Sequence, residues 1–246
     1  MLFNLFNKNK LKNPIDISVL KTDMHSHLLP RLDDGVKSLA ESVLLIKKMK
    51  EAGYTKLITT PHIMKDYFKN NYEIINNTLQ TVKEALVKEN ISIELQAAAE
   101  YLIDDGFEKR LEHGNLLTMG NNYVLVELSF YNMYHGFFST LFDMNVAGFK
   151  VILAHPERYS YFHDKYDLYE DLKARGLYFQ LNAISLSGYY TPKVRKTAEK
   201  LIEMGFYDFV GSDLHNVDYF NNLVKSFHNK HLEKLIDSGN IKNNLL

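Results

Sequence analysis

Seven short apolar runs, alternating for the most part with longer stretches that contain helical periodicity, constrain this chain more than any other feature. Strands that recur with a helix between them do not pair as tight hairpins. They pair in parallel, with the helices covering the sheet, so the predicted class is α/β. The runs fall at residues 21–24, 56–60, 91–97, 123–128, 151–154, 178–182 and 208–210. Helical patterns fit residues 72–88, 136–147, 168–174, 192–204 and 223–237. The clearest helix starts at Ser38, which has capping-box spacing to Glu41 and is followed by Leu39, Val43, Ile46 and Met49 on one face. It stops at Gly53, and Gly148, Gly176 and Gly205 stand in the same place before later strands, where a left-handed cap turns the chain back to the sheet. Residues 107–119 read as irregular chain or short helix.

Composition narrows the function classes. Hydrophobic residues make up 46% and charged residues 24% of 246, enough for a sizeable core in one barrel-sized domain. Residues 1–20 form a basic, Asn-rich leader expected to pack poorly, and residues 21–246 form the single domain. Lys plus Arg is 29 against 30 for Asp plus Glu, a formal charge of -1 that gives no general attraction for nucleic acid or an anionic membrane. No apolar run approaches the ~18 residues of a membrane span, and the leader's apolar stretch is too short for a secretory signal, so a cytoplasmic location is expected. The chain has no Cys, which removes disulfides, thiolate metal sites and cysteine nucleophiles. Its chemistry must run on oxygen and nitrogen groups.

The residues at the carboxyl ends of the runs are the informative ones. The first run leads into His25-Ser26-His27 with Asp34 beyond, the second into His62, the third into Glu100 and the fifth into His155. The fourth contains Glu127, and the seventh leads to Asp213 and His215. In a parallel barrel all strand carboxyl ends open on one face, so these nine donors meet there. Imidazole and carboxylate without thiolate select Mn, Fe or Zn. Nine donors exceed what one ion of four to six ligands can use, which implies two or three divalent ions sharing a carboxylate. Taken singly, His-x-His is weak, and His62 behind Pro61 reads more readily as a surface residue or one supporting a ligand than as a ligand itself. Glu127 is stronger, because a carboxylate in an apolar run must be ion-paired or metal-bound. His113, His135, His163, His228 and His231 lie outside this pattern and receive no ligand role.

In order, DMHSHLLPRLDDG, TPH, AAAEY, VELSF, AHPERY and SDLHN make residues 23–216 resemble the polymerase and histidinol phosphatase (PHP) family, most closely its bacterial tyrosine-phosphatase branch associated with capsule and exopolysaccharide biosynthesis. The resemblance implies a distorted seven-stranded (β/α) barrel with three metal ions, manganese foremost, at the carboxyl ends of the strands. It also implies that His25, His27, Glu100 and Asp213 surround one ion, that Glu100, Glu127 and His155 hold a second, and that Asp34, His62 and His215 hold the third. Arg158 matches the arginine that such proteins direct at the phosphate. The branch carries another arginine shortly after DxHN, where this chain has Asn216-Val217-Asp218-Tyr219-Phe220, a departure that bears on substrate and turnover. Arg31, beside Asp33, is either a second substrate contact or a solvated loop charge.

The expected reaction is hydrolysis of a phosphomonoester, most specifically protein phosphotyrosine, by a metal-bridging hydroxide. Arg158 would be the catalytic contact, able to bind phosphate through two parallel hydrogen bonds. A phenolate leaving group, with a conjugate-acid pKa near ~10, needs less proton assistance than an alkoxide. Tyr131, Tyr134, Tyr159 and Tyr161 either wall the pocket or pack. The implied partner is a phosphotyrosine-bearing protein such as a bacterial tyrosine kinase. The alternatives are a small-molecule phosphatase of the histidinol-phosphate type, an amidohydrolase-type barrel, and a non-catalytic, metal-stabilised module that binds a phosphopeptide. Glu127 and the DLH ending argue against the amidohydrolase.

Overall fold

Every ladder between the described strands is parallel, as strands with intervening helices require. The computed structural model describes residues 10–246. Its strands are β1 (Thr22–Asp23), β2 (Lys56–Thr59), β3 (His62–Ile63), β4 (Glu94–Ala97), β5 (Glu100–Leu102), β6 (Tyr123–Glu127), β7 (Lys150–Ala154), β8 (Tyr178–Asn182) and β9 (Phe209–Gly211). One sheet has the order β1-β2-β4, and the other β3-β5-β6-β7-β8-β9. The result is an α/β fold of two parallel sheets rather than one sheet of seven strands.

The count rises from seven to nine because two runs are interrupted. Pro61 has no N–H to give to a ladder, and the chain bends there and at Ala98-Ala99. Hydrogen bonds from Ala98 N to Thr59 O (2.9 Å) and from Glu100 N to Pro61 O (3.2 Å) carry the pairing across both bends. Each bent run therefore passes from one sheet into the other. On the opposite side, Ser26 and Leu214 form a single parallel bridge. There Asp213 N donates to His25 O (2.7 Å) and His27 N to Leu214 O (2.9 Å).

Among the described residues, eight helices cover the sheets: α1 (Leu39–Glu51), α2 (Tyr72–Lys88), α3 (Asp105–Glu112), α4 (Phe137–Val146), α5 (Tyr166–Ala174), α6 (Pro192–Glu203), α7 (Val217–Ser226) and α8 (Lys230–Asp237). Ser38 caps α1 by accepting from Glu41 N (3.2 Å), while the Glu41 carboxylate accepts from Lys37 N (2.9 Å). The glycine after α1 takes φ +114°, open to Gly alone at little cost. The single helix predicted over 223–237 is two helices. Asn216 starts α7 by accepting from Asp218 N and Tyr219 N, and Asn229 breaks the run, accepting from His231 N (2.8 Å) to start α8. Residues 107–119 contain most of the short α3.

Residues 10–20, the described part of the leader, pack against the domain. Ile17 and Leu20 are buried, and Leu11 N and Ile15 N donate to His228 O and Phe227 O. Residues 1–9 lie outside the described residues. No described helix is long and apolar enough to cross a membrane.

Strand alternation sorts the interior. Val124, Val126, Val151, Leu153, Phe179, Leu181 and Val210 join the large core that includes the helices. Leu125, Ile152, Ala154 and Phe209 join Met24, Ile58 and Ala98 in a separate apolar cluster. With a period of two, Glu127 shares the side of Leu125, Glu100 that of Ala98, and Gln180 and Asn182 stand opposite in phase to Phe179 and Leu181. A dry floor thus lies below the polar strand ends.

The C terminus also holds β1 against β9. Asn243 Nδ2 donates to Thr22 O (2.8 Å) and Val210 O (2.6 Å), and its Oδ1 accepts from Val210 N (2.9 Å). Asn243→Leu should lower unfolding free energy by about 2–4 kcal/mol, because it strips three buried backbone groups of their partner. Urea denaturation checks this, and a loss below about 0.5 kcal/mol would remove Asn243 from its role as the tie between the strands.

Candidate metal centre

The nine sequence-predicted donors converge in one recess above the apolar floor. The β3–β5 register sets His62 beside Glu100, and the β5–β6 register sets Leu102 beside Glu127. His25 and His27 lie just past β1, His155 just past β7, and Asp213 and His215 just past β9. His155 and Asp213 adopt left-handed backbone at φ 35° and 50°, unusual for residues with a Cβ and a form of strain found at functional sites. Gly211 is required for another reason: a Cβ there would lie 2.7 Å from His25 Cβ and 2.8 Å from Gln180 Nε2.

Three groups of donors can each gather round a cation: His25, His27, Glu100 and Asp213; His62, Glu100 and Glu127; and His27, Asp34, His62 and His215. In the first, His25 Nε2 lies 3.2 Å from His27 Nε2, 3.2 Å from Glu100 Oε2 and 3.3 Å from Asp213 Oδ1. His27 Nε2 lies 3.4 Å from each of the same two oxygens. Four ligands about 2.1 Å from a central ion have edges of ~3.0 Å at right angles and ~3.4 Å in a tetrahedron. The observed separations fall in that interval.

The second group contains an imbalance that hydrogen bonding leaves unresolved. His62 Nδ1 and Glu127 Oε1 are 2.8 Å apart, yet both buried atoms lack a hydrogen-bond partner. His155 lies outside this group but against it, with Nε2 3.1 Å from Glu100 Oε1. In the third group, Asp34 Oδ1 is 3.3 Å from His215 Nε2 and 3.5 Å from His62 Nε2, and Asp34 alone of the donors is exposed. These orphaned atoms and the oxygen-nitrogen donor set fit divalent cations.

Groups behind the donors were not evident from the run-end pattern. His27 Nδ1 meets Asp33 Oδ2 at 2.7 Å, His25 Nδ1 meets Gln180 Oε1 at 3.0 Å, and His215 Nδ1 meets Asp213 O at 2.8 Å. Each contact fixes an imidazole ring with Nε2 toward the recess, the usual support of a metal-binding histidine. The Asp33 carboxylate also accepts from Gly35 N and His62 N. Asn182 Nδ2 donates to Asp213 Oδ2 (2.8 Å). The run YFQLN carries no acid or histidine, but two amides in an otherwise apolar strand were the available signal.

Arg158 and Arg31 have different settings. Arg158 Nη1 donates to Asp213 Oδ2 (2.8 Å), and its guanidinium carbon lies 4.7 Å from the Phe130 ring centre and 4.2 Å from that of Tyr190. Arg31 is exposed, and its Nε donates to Lys37 O along its own loop (3.1 Å). Among the described residues it pairs with none of the carboxylates. Tyr159 is buried and bonds to Leu128 N and Ala154 O, while Tyr161 donates to Ser129 O. Both therefore pack loops together, whereas Tyr131 is exposed.

Carboxylates and imidazoles in the recess shift one another. Burial pulls the His25 imidazole down, but Glu100 and Asp213 reverse this and raise it to about 10. Burial likewise opposes protonation of His62, and Glu127 and Glu100 raise it to about 9. Burial pushes the Glu100 and Asp213 carboxyls up; His25 and His62 for Glu100, and His25 and His215 for Asp213, hold them well below the usual range.

Known proteins share this arrangement of chain and fold. Residues 21–238 match the family described as capsular polysaccharide synthesis, CpsB/CapC. The tyrosine-protein phosphatase YwqE of Bacillus subtilis is 28% identical over 196 residues, covering 79% of this chain and 77% of YwqE. The tyrosine-protein phosphatase CpsB of Streptococcus pneumoniae is 29% identical over 204 residues, covering 80% of this chain and 83% of CpsB. A crystal structure from the pair YwqE of Bacillus subtilis and CpsB of Streptococcus pneumoniae, metal-dependent tyrosine phosphatases, superposes with a TM-score of 0.76 at 26% identity. It covers 87% of this chain and 84% of that one.

The raised imidazoles set a pH dependence. A histidine bound more tightly to its proton when folded contributes stability that is complete below its unfolded value of about 6.5 and is lost as pH rises through the folded value. The Tm of chelator-stripped protein should therefore fall as pH rises from about 8 to about 10, and fall less with Mn bound, because the cation replaces the protons. Calorimetry at several pH values checks this; a flat Tm in stripped protein would refute the charge pairing.

Proposed function

The chain belongs to the CpsB/CapC family of capsular polysaccharide synthesis proteins, and from that premise we propose that it is a metal-dependent protein-tyrosine phosphatase whose reacting phosphate enters the strand-end recess beside Arg158. The observation that carries this reading is the convergence of His25, His27, Glu100 and Asp213 at separations suited to one cation, with an arginine held against the last of them. We read the two sheets as the distorted barrel of the PHP type, since both bent runs and the Ser26–Leu214 bridge lead round a common interior.

In this reading His25, His27, Glu100 and Asp213 hold one ion. Glu100 and Glu127, flanked by His62 and His155, hold a second, and Asp34, His62 and His215 hold a third. The mixed set of carboxylates and imidazoles admits manganese, with iron or zinc as competitors. Bound divalent ions would neutralise phosphoryl charge and acidify a coordinated water.

The chain's own groups orient the ester. Asp213 occupies one nitrogen of Arg158 and leaves the remaining guanidinium N–H groups for phosphoryl oxygens. Burial works against the charge on Arg158, but Tyr190 and Asp213 raise its pKa, so it remains cationic. Asp33 and Gln180 stop His27 and His25 from rotating away from the recess. A phenolate product can depart without a strong side-chain acid, which favours phosphotyrosine over alkyl esters. The macromolecular substrate is a phosphotyrosine-bearing protein such as a bacterial tyrosine kinase.

Stripped protein should be inactive, and added Mn should restore hydrolysis of a phosphotyrosine peptide, with histidinol phosphate turned over at least about tenfold more slowly. Faster turnover of histidinol phosphate would instead favour a small-molecule phosphatase, and tight peptide binding without turnover a binding module. Arg158→Ala should lower kcat/KM by about tenfold or more, the scale of one lost charge-assisted hydrogen bond, with metal content unchanged by elemental analysis. An unaltered rate would remove Arg158 from the mechanism.

A further inference from the structure

Phe130 lies three residues beyond Glu127, in the loop between β6 and α4. Its ring is 5.7 Å from that of His155 at an interplanar angle of 24°, and 5.6 Å from that of Tyr159. Arg158 lies 4.7 Å from its centre, yet the residue keeps 42% of its surface exposed. Part of a large aromatic ring is thereby left accessible beside the buried charges, where an incoming aromatic group can stack on it and bury apolar surface. The neighbouring Tyr131 is 93% exposed and, among the described residues, stacks on no other ring.

The chemistry of the recess suggests the nature of that incoming group. His25, His27 and Glu100 are completely buried, so a phosphoryl group must pass inward to approach them. A short alkyl ester would draw its own peptide backbone into that mouth, whereas an aryl ester carries a flat spacer between phosphate and backbone. When Arg158 engages the phosphate, that spacer starts one oxygen away, within reach of the Phe130 ring. Aromatic rings attract one another at centre separations of ~4.5–7 Å in offset or edge-on geometry. Resting on the phosphatase reading above, we propose that Phe130 is the specificity residue that receives the aryl ring of the substrate, while Arg158, stacked against it, takes the phosphate.

Ring recognition and phosphate recognition then fall to different side chains, so ligands that cannot be hydrolysed probe each without a leaving-group effect. Titration calorimetry on Mn-loaded protein with phenylphosphonate and with methylphosphonate measures the two components. Phe130→Leu, which keeps apolar bulk but removes the arene, should weaken phenylphosphonate binding about three- to tenfold and leave methylphosphonate within about twofold. Phe130→Tyr should bind both ligands as the unsubstituted protein does. Equal weakening of both ligands, or of neither, in Phe130→Leu overturns the assignment. Hydrolysis of p-nitrophenyl phosphate, measured in parallel, separates the two failures. Activity with unchanged aryl preference sinks only the role of Phe130, and inactivity of the unsubstituted Mn-loaded protein on all phosphate esters sinks the phosphatase reading with it.

Discussion

Glu100 is the carboxylate round which the structure is organised. It is completely buried, with Oε2 within 3.2–3.4 Å of His25, His27 and His62 and Oε1 3.1 Å from His155. A lone carboxylate moved from water to such a place would lose several kcal/mol of hydration free energy, and only cationic partners can offset the loss. Those partners come from the segments just past β1 and β7 and from β3 itself. The parallel order, the bends at Pro61 and Ala98-Ala99, and the left-handed backbone at His155 all bring them within reach. Protons can supply part of the positive charge, and divalent cations can supply more with better geometry.

That concentration of charge explains the polar layer behind it. An imidazole free to turn would lower its own energy by finding another acceptor, and the convergence would be lost. Asp33, Gln180 and the carbonyl of Asp213 prevent this by engaging Nδ1 of His27, His25 and His215. Asn182 does similar work on the other side. One of its N–H groups reaches Asp213, and its amide also donates to Tyr190 OH (2.9 Å), whose ring lies over Arg158. The metal-binding candidates and the phosphate-binding candidate thereby share one rigid support, so a change at Asn182 would reach both.

Much of the plan was legible in the chain. Apolar runs alternating with helical periodicity determined parallel pairing, and helix starts such as Ser38 announced themselves through local hydrogen-bonding chemistry. Eight of the nine candidate donors were visible because they stand at or within a few residues of the end of an apolar run, where a polar residue has little reason to recur by chance, while Asp34 lies ten residues past the first run. The bends were less legible: a proline signals an interruption, but Ala98 and Ala99 carry no such mark, and the transfer between sheets depends on non-local pairing. The long helix expected over 223–237 failed for a related reason. The cap that Asn229 places on His231 N is local, but the bond from its Nδ2 to Leu186 O (3.1 Å), which fixes the side chain there, is available only in the folded chain.

The amino-acid sequence by itself determined the class of fold, the oxygen-nitrogen character of the chemistry and the identity of the candidate donors that cluster, because periodicity and residue type are local properties. Tertiary structure alone decided which candidate donors lie together, which arginine faces them and which groups hold the rings in place. His62 joins both Glu127 and Asp34, Arg158 enters the recess while Arg31 turns along its own loop, and Gln180 emerges as a support. These are matters of a few ångströms between residues far apart in the chain. Spacing along the sequence does not encode such distances; the register of the strands and the direction of each side chain do.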